Sequence, residues 1–162
     1  MAASLSFRVY TGASAGTESA VVTGIDLESA DNATNTLGNR QANPITVGTN
    51  SYEKWLKMKV DTAPANAVTN FKIWGDGAVQ TSTTLMVTGA YVTGATPTTA
   101  TSTVANTTFV NFTAGNKLTF DSASYSATNA TTKYFVFQLQ VDATCGPGNW
   151  TQEIASVSYD ET

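Results

Sequence analysis

Residues Ser51–Gly77 read SYEKWLKMKVDTAPANAVTNFKIWGDG, and their alternation decides the fold class. In Tyr52–Val60, Leu56, Met58 and Val60 share one face of a strand, with Glu53, Trp55, Lys57 and Lys59 on the other. A half-buried strand needs this period of two. Glu, Lys, Leu and Met are also helix formers, but the apolar–charged alternation from Trp55 onward favours the strand. Val68–Trp74 repeats the pattern, setting Phe71 and Ile73 against Asn70, Lys72 and Trp74. Asp61, Pro64 and Asn66 mark the connector between the two runs, and Gly75-Asp76-Gly77 supplies a turn. Paired as a hairpin, the two runs would oppose Trp55 to Trp74 and Lys57 to Lys72. Like charges directly opposite are unfavourable, so the strands belong to different sheets or a partner's carboxylates neutralise the lysines.

Outward from this stretch the chain continues to read as strands. Ser4–Tyr10 alternates Leu5, Phe7 and Val9 with polar neighbours, and Ala20–Leu27 is a second short strand after a Thr11–Ser19 loop. Thr83–Val92, Thr107–Thr113 and Lys117–Phe120 follow, the last two joined by an Ala114-Gly115-Asn116 turn, with a Thr/Ala loop over Thr93–Asn106. Lys133–Val141 is the strongest strand, with Phe135, Phe137, Leu139 and Val141 on one face and Tyr134, Val136, Gln138 and Gln140 on the other. A Cys145–Gly148 turn leads into a final strand, Trp150–Tyr159, before Asp160-Glu161. Glu28–Asn50 shows neither period; so long an irregular stretch inside a domain reads as a functional arm or a loop ordered by a partner. No segment reads as a convincing helix. The expectation is an all-β, single-domain β-sandwich of jelly-roll type spanning residues 1–162. Its N-terminal strand and irregular arm occupy residues 1–50, and its main sandwich residues 51–162.

Composition narrows the chemistry. The 162 residues suffice for one domain with a real core. Charged residues make up 12 % and hydrophobic residues 41 %, about half the usual charged share. Roughly one residue in six is Thr, a β-branched type suited to pleated surfaces. The net charge of −4 and the lack of basic runs argue against nucleic acid as a partner. No apolar run reaches membrane-spanning length, and MAASLSFRVYTG has no apolar signal core, so synthesis without export is expected. Five Asn-x-Thr sequons would then go unused. The lone Cys145 cannot form an intrachain disulfide and reads as an apolar filler. The chain has no His, which removes the commonest general base, the Ser–His and Cys–His nucleophile pairs and the commonest metal ligand.

The wording S-Y-E-K-W-L-K at Ser51–Lys57 and T-N-F-K-I-W-G-D-G at Thr69–Gly77 resembles small structural proteins of tailed-phage virions. Phe135–Val141, Gly146-Pro147-Gly148, Thr151-Gln152-Glu153 and Tyr159-Asp160-Glu161 extend the resemblance over roughly residues 37–162. Together they resemble head decoration, or cement, proteins: β-sandwich modules on the outside of a capsid, often trimeric. The resemblance implies a non-enzymatic clamp on the major capsid protein at the outer virion surface, made in the host cytoplasm, a homotrimer with no cofactor. A tail or neck component is the neighbouring alternative.

Candidate contact residues are Trp55, Lys57, Lys59, Lys72 and Trp74 on the outward strand faces, with Arg40, Asn43 and Pro44 in the arm. Trp is enriched at interface hot spots; the plainer reading makes each Trp a core or edge residue covered by Lys stems. The arm and N-terminal strand are expected to carry the capsid contacts, so a chain lacking residues 1–49 should fold without binding. Asp26, Glu28 and Asp31 have oxygen donors suited to Ca²⁺ but lack an EF-hand pattern, and read as solvated loop acids. Glu53 with Glu153 could form a glycosidase-like pair, and the Trp and Tyr residues could stack on a glycan, the alternative partner. No catalytic, cofactor-binding or metal-ligating residue is assigned from the sequence.

Overall fold

The computed structural model describes residues 2–11, 17–32, 36–77, 83–91, 110–115, 117–146 and 153–162. Within them run strands β1 (Ser4–Thr11), β2 (Thr17–Val22), β3 (Lys54–Thr62), β4 (Val68–Trp74), β5 (Thr83–Tyr91), β6 (Val110–Asn111), β7 (Leu118–Asp121), β8 (Tyr134–Val141) and β9 (Ser156–Glu161), and one short helix, α1 (Leu37–Ala42). They form two antiparallel sheets, β2-β1-β3-β8-β5-β6 and β7-β4-β9. The Thr93–Asn106 loop, Asn116, the Pro147-Gly148 turn and the Trp150–Gln152 end of the last expected strand lie outside the described residues.

The alternation in Ser51–Gly77 is resolved by separation: β3 lies in the six-stranded sheet and β4 in the three-stranded one. Lys57 and Lys72 therefore never oppose each other. Leu56, Met58 and Val60 of β3 and Phe135, Phe137 and Leu139 of β8 point between the sheets, meeting Val68, Phe71 and Ile73 of β4 and Phe120 of β7 in one buried cluster. Phe120 and Phe135 join the two layers with ring centroids 4.6 Å apart. Burying each such side chain contributes about 1.5–3 kcal/mol, so this layer dominates the stability of the fold. Cys145 is buried and free in the same core, as its size suggested.

Boundaries differ where local pairing overrides periodicity. The second strand is Thr17–Val22, not Ala20–Leu27, because Thr17 and Glu18 pair with Thr11 and Tyr10; Ile25 and Leu27 pack on the core from the loop beyond. Strand β9 runs through Asp160 and Glu161, which pair with Thr69 and Val68. Gly75 ends β4 where a Cβ would collide with Phe112 and with the Glu153 carboxylate.

The first fifty residues are not separable from the rest. Strand β1 pairs with β3 from Ser4–Thr62 to Tyr10–Trp55, so the large sheet has no seam near residue 50. Removing residues 1–49 would strip two strands and the core contacts of Ile25, Leu27 and Ile45. The truncation therefore cuts into the large sheet and its core.

The arm also contains a helix that was not expected. Thr36 caps it, its Oγ1 accepting from the Asn39 N–H at 3.2 Å, and Asn43 closes it with backbone and side-chain bonds to the Asn39 carbonyl. Six residues are too few to display a 3.6-residue period, so only the caps could have signalled it.

Candidate functional site

The eight candidate contact residues fall on three separate surfaces. Trp55, Lys57 and Lys59 project from the outer face of the six-stranded sheet, Lys72 and Trp74 lie on the three-stranded sheet, and Arg40, Asn43 and Pro44 belong to the arm.

On the outer face, Trp55 is buried, clustered with Tyr10, Val136 and Tyr134. Its indole donates to Glu53 Oε2 at 3.1 Å, and its ring centroid lies 5.2 Å from that of Tyr134 in an edge-to-face arrangement. Trp55 is thus a second, smaller core and offers a partner no surface, which corrects its assignment as a contact. Lys57 remains half-buried, its Nζ 4.1 Å from the Tyr134 centroid and 5.3 Å from that of Tyr10. Burial holds its ammonium below the ordinary lysine range. Lys59 is bound to Glu18 Oε1 at 2.8 Å, and Tyr10 Oη donates to Glu18 Oε2 at 2.8 Å. These hydrogen bonds hold the Glu18 carboxyl below its ordinary value, while burial and then the Glu18 bond push the Tyr10 phenol far up. Arg8 completes the face, 3.5 Å from Asp61 and 3.9 Å from Glu18. Tyr10, Tyr134, Arg8 and Glu18 were not among the sequence candidates. Tyr134 was legible, since it alternates with the core residue Phe135; Glu18 lay in a stretch without period.

In the arm, two of the three acids read as solvated loop residues, Asp26 and Glu28, are structural. Asp26 is buried and accepts from Arg40 at 2.8 Å. Glu28 is 1 % exposed and faces Lys54, also 1 % exposed, at 3.8 Å. Lys54 continues the inward face of β3, but at the end of the sheet the arm covers it instead of the second layer. Its ammonium donates to the Ala30 carbonyl at 3.3 Å and the Asn32 carbonyl at 2.5 Å. Burial lowers the Lys54 pKa, opposed first by the charge of Glu28. Among the described residues no three His, Cys, Asp or Glu side chains are grouped to hold a metal ion. Arg40 and Asn43 are thus engaged within the arm, and Pro44 is exposed.

On the small sheet, Lys117 Nζ lies 4.4 Å over the Trp74 ring, as Lys57 lies over Tyr10 and Tyr134 on the large one. Glu53 and Glu153 serve different places: Glu53 holds the Trp55 indole, and Glu153 Oε1 accepts from the Gly77 N–H at 3.0 Å. Among the described residues no helix is long and apolar enough to cross a membrane. Compared with protein-family models, curated proteins and solved structures, the chain matches none.

Proposed function

We propose that the protein is a non-enzymatic structural component of a tailed-phage virion that decorates the outer capsid surface as a homotrimeric cement protein, bound to the major capsid protein. The observation that carries this reading is the arm. Helix α1 has no buried residue, yet Lys54 of β3 ties the preceding segment to the sheet through the Ala30 and Asn32 carbonyls, and Arg40 ties the helix to Asp26. Leu37 on the helix is 60 % exposed and Val47 beyond it 45 %. A tethered segment presenting apolar side chains to water suits a surface covered by a neighbour. The charge-poor, Thr-rich composition agrees, because uncharged side chains cost less to desolvate when subunits meet. We also take the sandwich as jelly-roll-like; in support, the described strands from β3 onward alternate between the sheets with five crossings. The sugar-binding alternative loses support, since Trp55 is buried and Lys117 lies over Trp74.

The test uses capsids of the phage encoding the chain, stripped of this protein, and full-length protein added back. Electron microscopy should place the wild type on the head shell, and Leu37→Glu with Val47→Glu should abolish co-sedimentation while leaving the circular dichroism unchanged. Density at the tail or neck, or full binding by the double variant, would overturn the assignment.

A further inference from the structure

We infer that the outer face of the six-stranded sheet, centred on Lys57 between the rings of Tyr10 and Tyr134, is a second contact surface whose partner is an acidic protein surface presenting a carboxylate. This does not rest on the capsid reading: the observations lie on a different face from the arm.

All eight Lys and Arg residues and all twelve Asp and Glu residues lie in the described segments. Lys59 and the Tyr10 hydroxyl occupy both oxygens of Glu18. Asp61 Oδ1 accepts from Ser6 Oγ at 3.0 Å and from Arg8. Glu53, buried on the same face, takes the Trp55 indole. Lys57 has no carboxylate within ion-pair distance and touches aromatic rings instead. In the β1–β3 register it stands directly opposite Arg8, a like-charge cross-strand pair that is unfavourable without an acid between them. Lys72, Lys117 and Lys133 also make no ion pair, but none of them is paired in register with another cation.

Three cations and two engaged carboxylates therefore share the open part of the face. A carboxylate from outside would meet the ammonium of Lys57 beside the Arg8 guanidinium, with Tyr134 as an apolar wall. Glu18, already engaged, acts on both cations, 3.9 Å from Arg8 and through its charge on Lys57, yet burial still leaves the Lys57 pKa lowered, which agrees. Partner chemistry follows from what is absent for the rivals. A sugar needs an open ring face, whereas Tyr10 and Trp55 are buried and Lys57 lies over Tyr134. Nucleic acid needs several free cations along a stripe, and here one is in excess.

The test is an amide and side-chain NMR titration of the full chain with a capped hexaglutamate peptide, alongside maltohexaose and inorganic phosphate. The peptide should give saturable shifts confined to Tyr10, Lys57, Tyr134 and Arg8, suppressed by salt. Lys57→Met, which keeps the stem on the rings, should weaken binding about tenfold or more, as expected on losing a charge-assisted contact. Lys72→Met should leave it unchanged. The inference falls if the peptide gives no saturable shift, if its shifts map elsewhere, or if Lys57→Met binds as tightly as wild type. It also falls if maltohexaose or phosphate shifts the same residues as strongly. Should Lys57→Met not fold, the wild-type shift map and its salt dependence decide alone. No capsid enters the measurement, so this surface and the decoration reading can fail independently.

Discussion

Lys54 and Lys57 lie three residues apart on β3, on opposite faces of the same sheet, and have opposite fates. Lys54 is sealed, its ammonium held by two loop carbonyls and Glu28. Lys57 rests on two tyrosine rings with its head half-open. The residue type is the same and so is the strand; the difference is what covers each face. Sealing a charge makes it part of the architecture, because removing it strands its partner. Leaving it partly solvated keeps it available, because water or a ligand can complete it.

The sharpest way to break this contrast is to truncate the sealed lysine. Lys54→Ala leaves Glu28 buried without its counter-charge, which should cost about 3–5 kcal/mol. Urea unfolding should show the loss, and the arm should lose amide-exchange protection first, since Lys54 ties it down at Ala30 and Asn32. Replacing both partners, Lys54→Met with Glu28→Leu, removes both charges and should recover most of that stability. If the double variant is as unstable as the single one, the packing of the arm, and not charge, holds this corner.

A smaller effect is expected at the other end of the same arm. Arg40 is bound to the buried Asp26, but its own side chain is 47 % exposed. Solvent screens the pair, so Arg40→Ala should cost only ~1 kcal/mol. A loss as large as that of Lys54→Ala would mean that exposure does not separate structural from available cations here.

The inward halves of β3, β4 and β8 were legible from their period of two, because each buries one face against the other layer. The Lys57–Lys72 conflict left two readings open, and the strands take the first of them, different sheets. The outer cluster was only half legible: alternation placed Trp55 and Lys57 outward, but not that Tyr10 and Tyr134, far away in sequence, would bury the indole. The arm was least legible. Its order comes from a short capped helix and from ion pairs joining Asp26 to Arg40 and Glu28 to Lys54, and such long-range pairing leaves no local pattern. Acids in a segment without periodicity look solvated until the fold supplies their cations.

The smallest effect sharpens the contrast through pH. Glu18 serves the half-open face, and hydrogen bonds from Lys59 and then Tyr10 hold its folded pKa below the ordinary 4.5. The unfolded chain therefore binds a proton there first as acid is added. Its contribution is complete above the ordinary glutamate value and is lost as pH falls through the lower folded value. Because the carboxyl is about a third exposed, the contribution should stay below about 1 kcal/mol. The measurement is the difference in unfolding free energy between wild type and Glu18→Gln from pH 7 to pH 3. That difference should be constant down to the ordinary glutamate range and shrink below it. Lys59→Gln should shift the shrinkage to higher pH, since the first and largest cause of the depression is gone. An unchanged difference down to pH 3 would mean that Glu18 contributes through packing alone, and that the outer face carries no electrostatic tension for a partner to relieve.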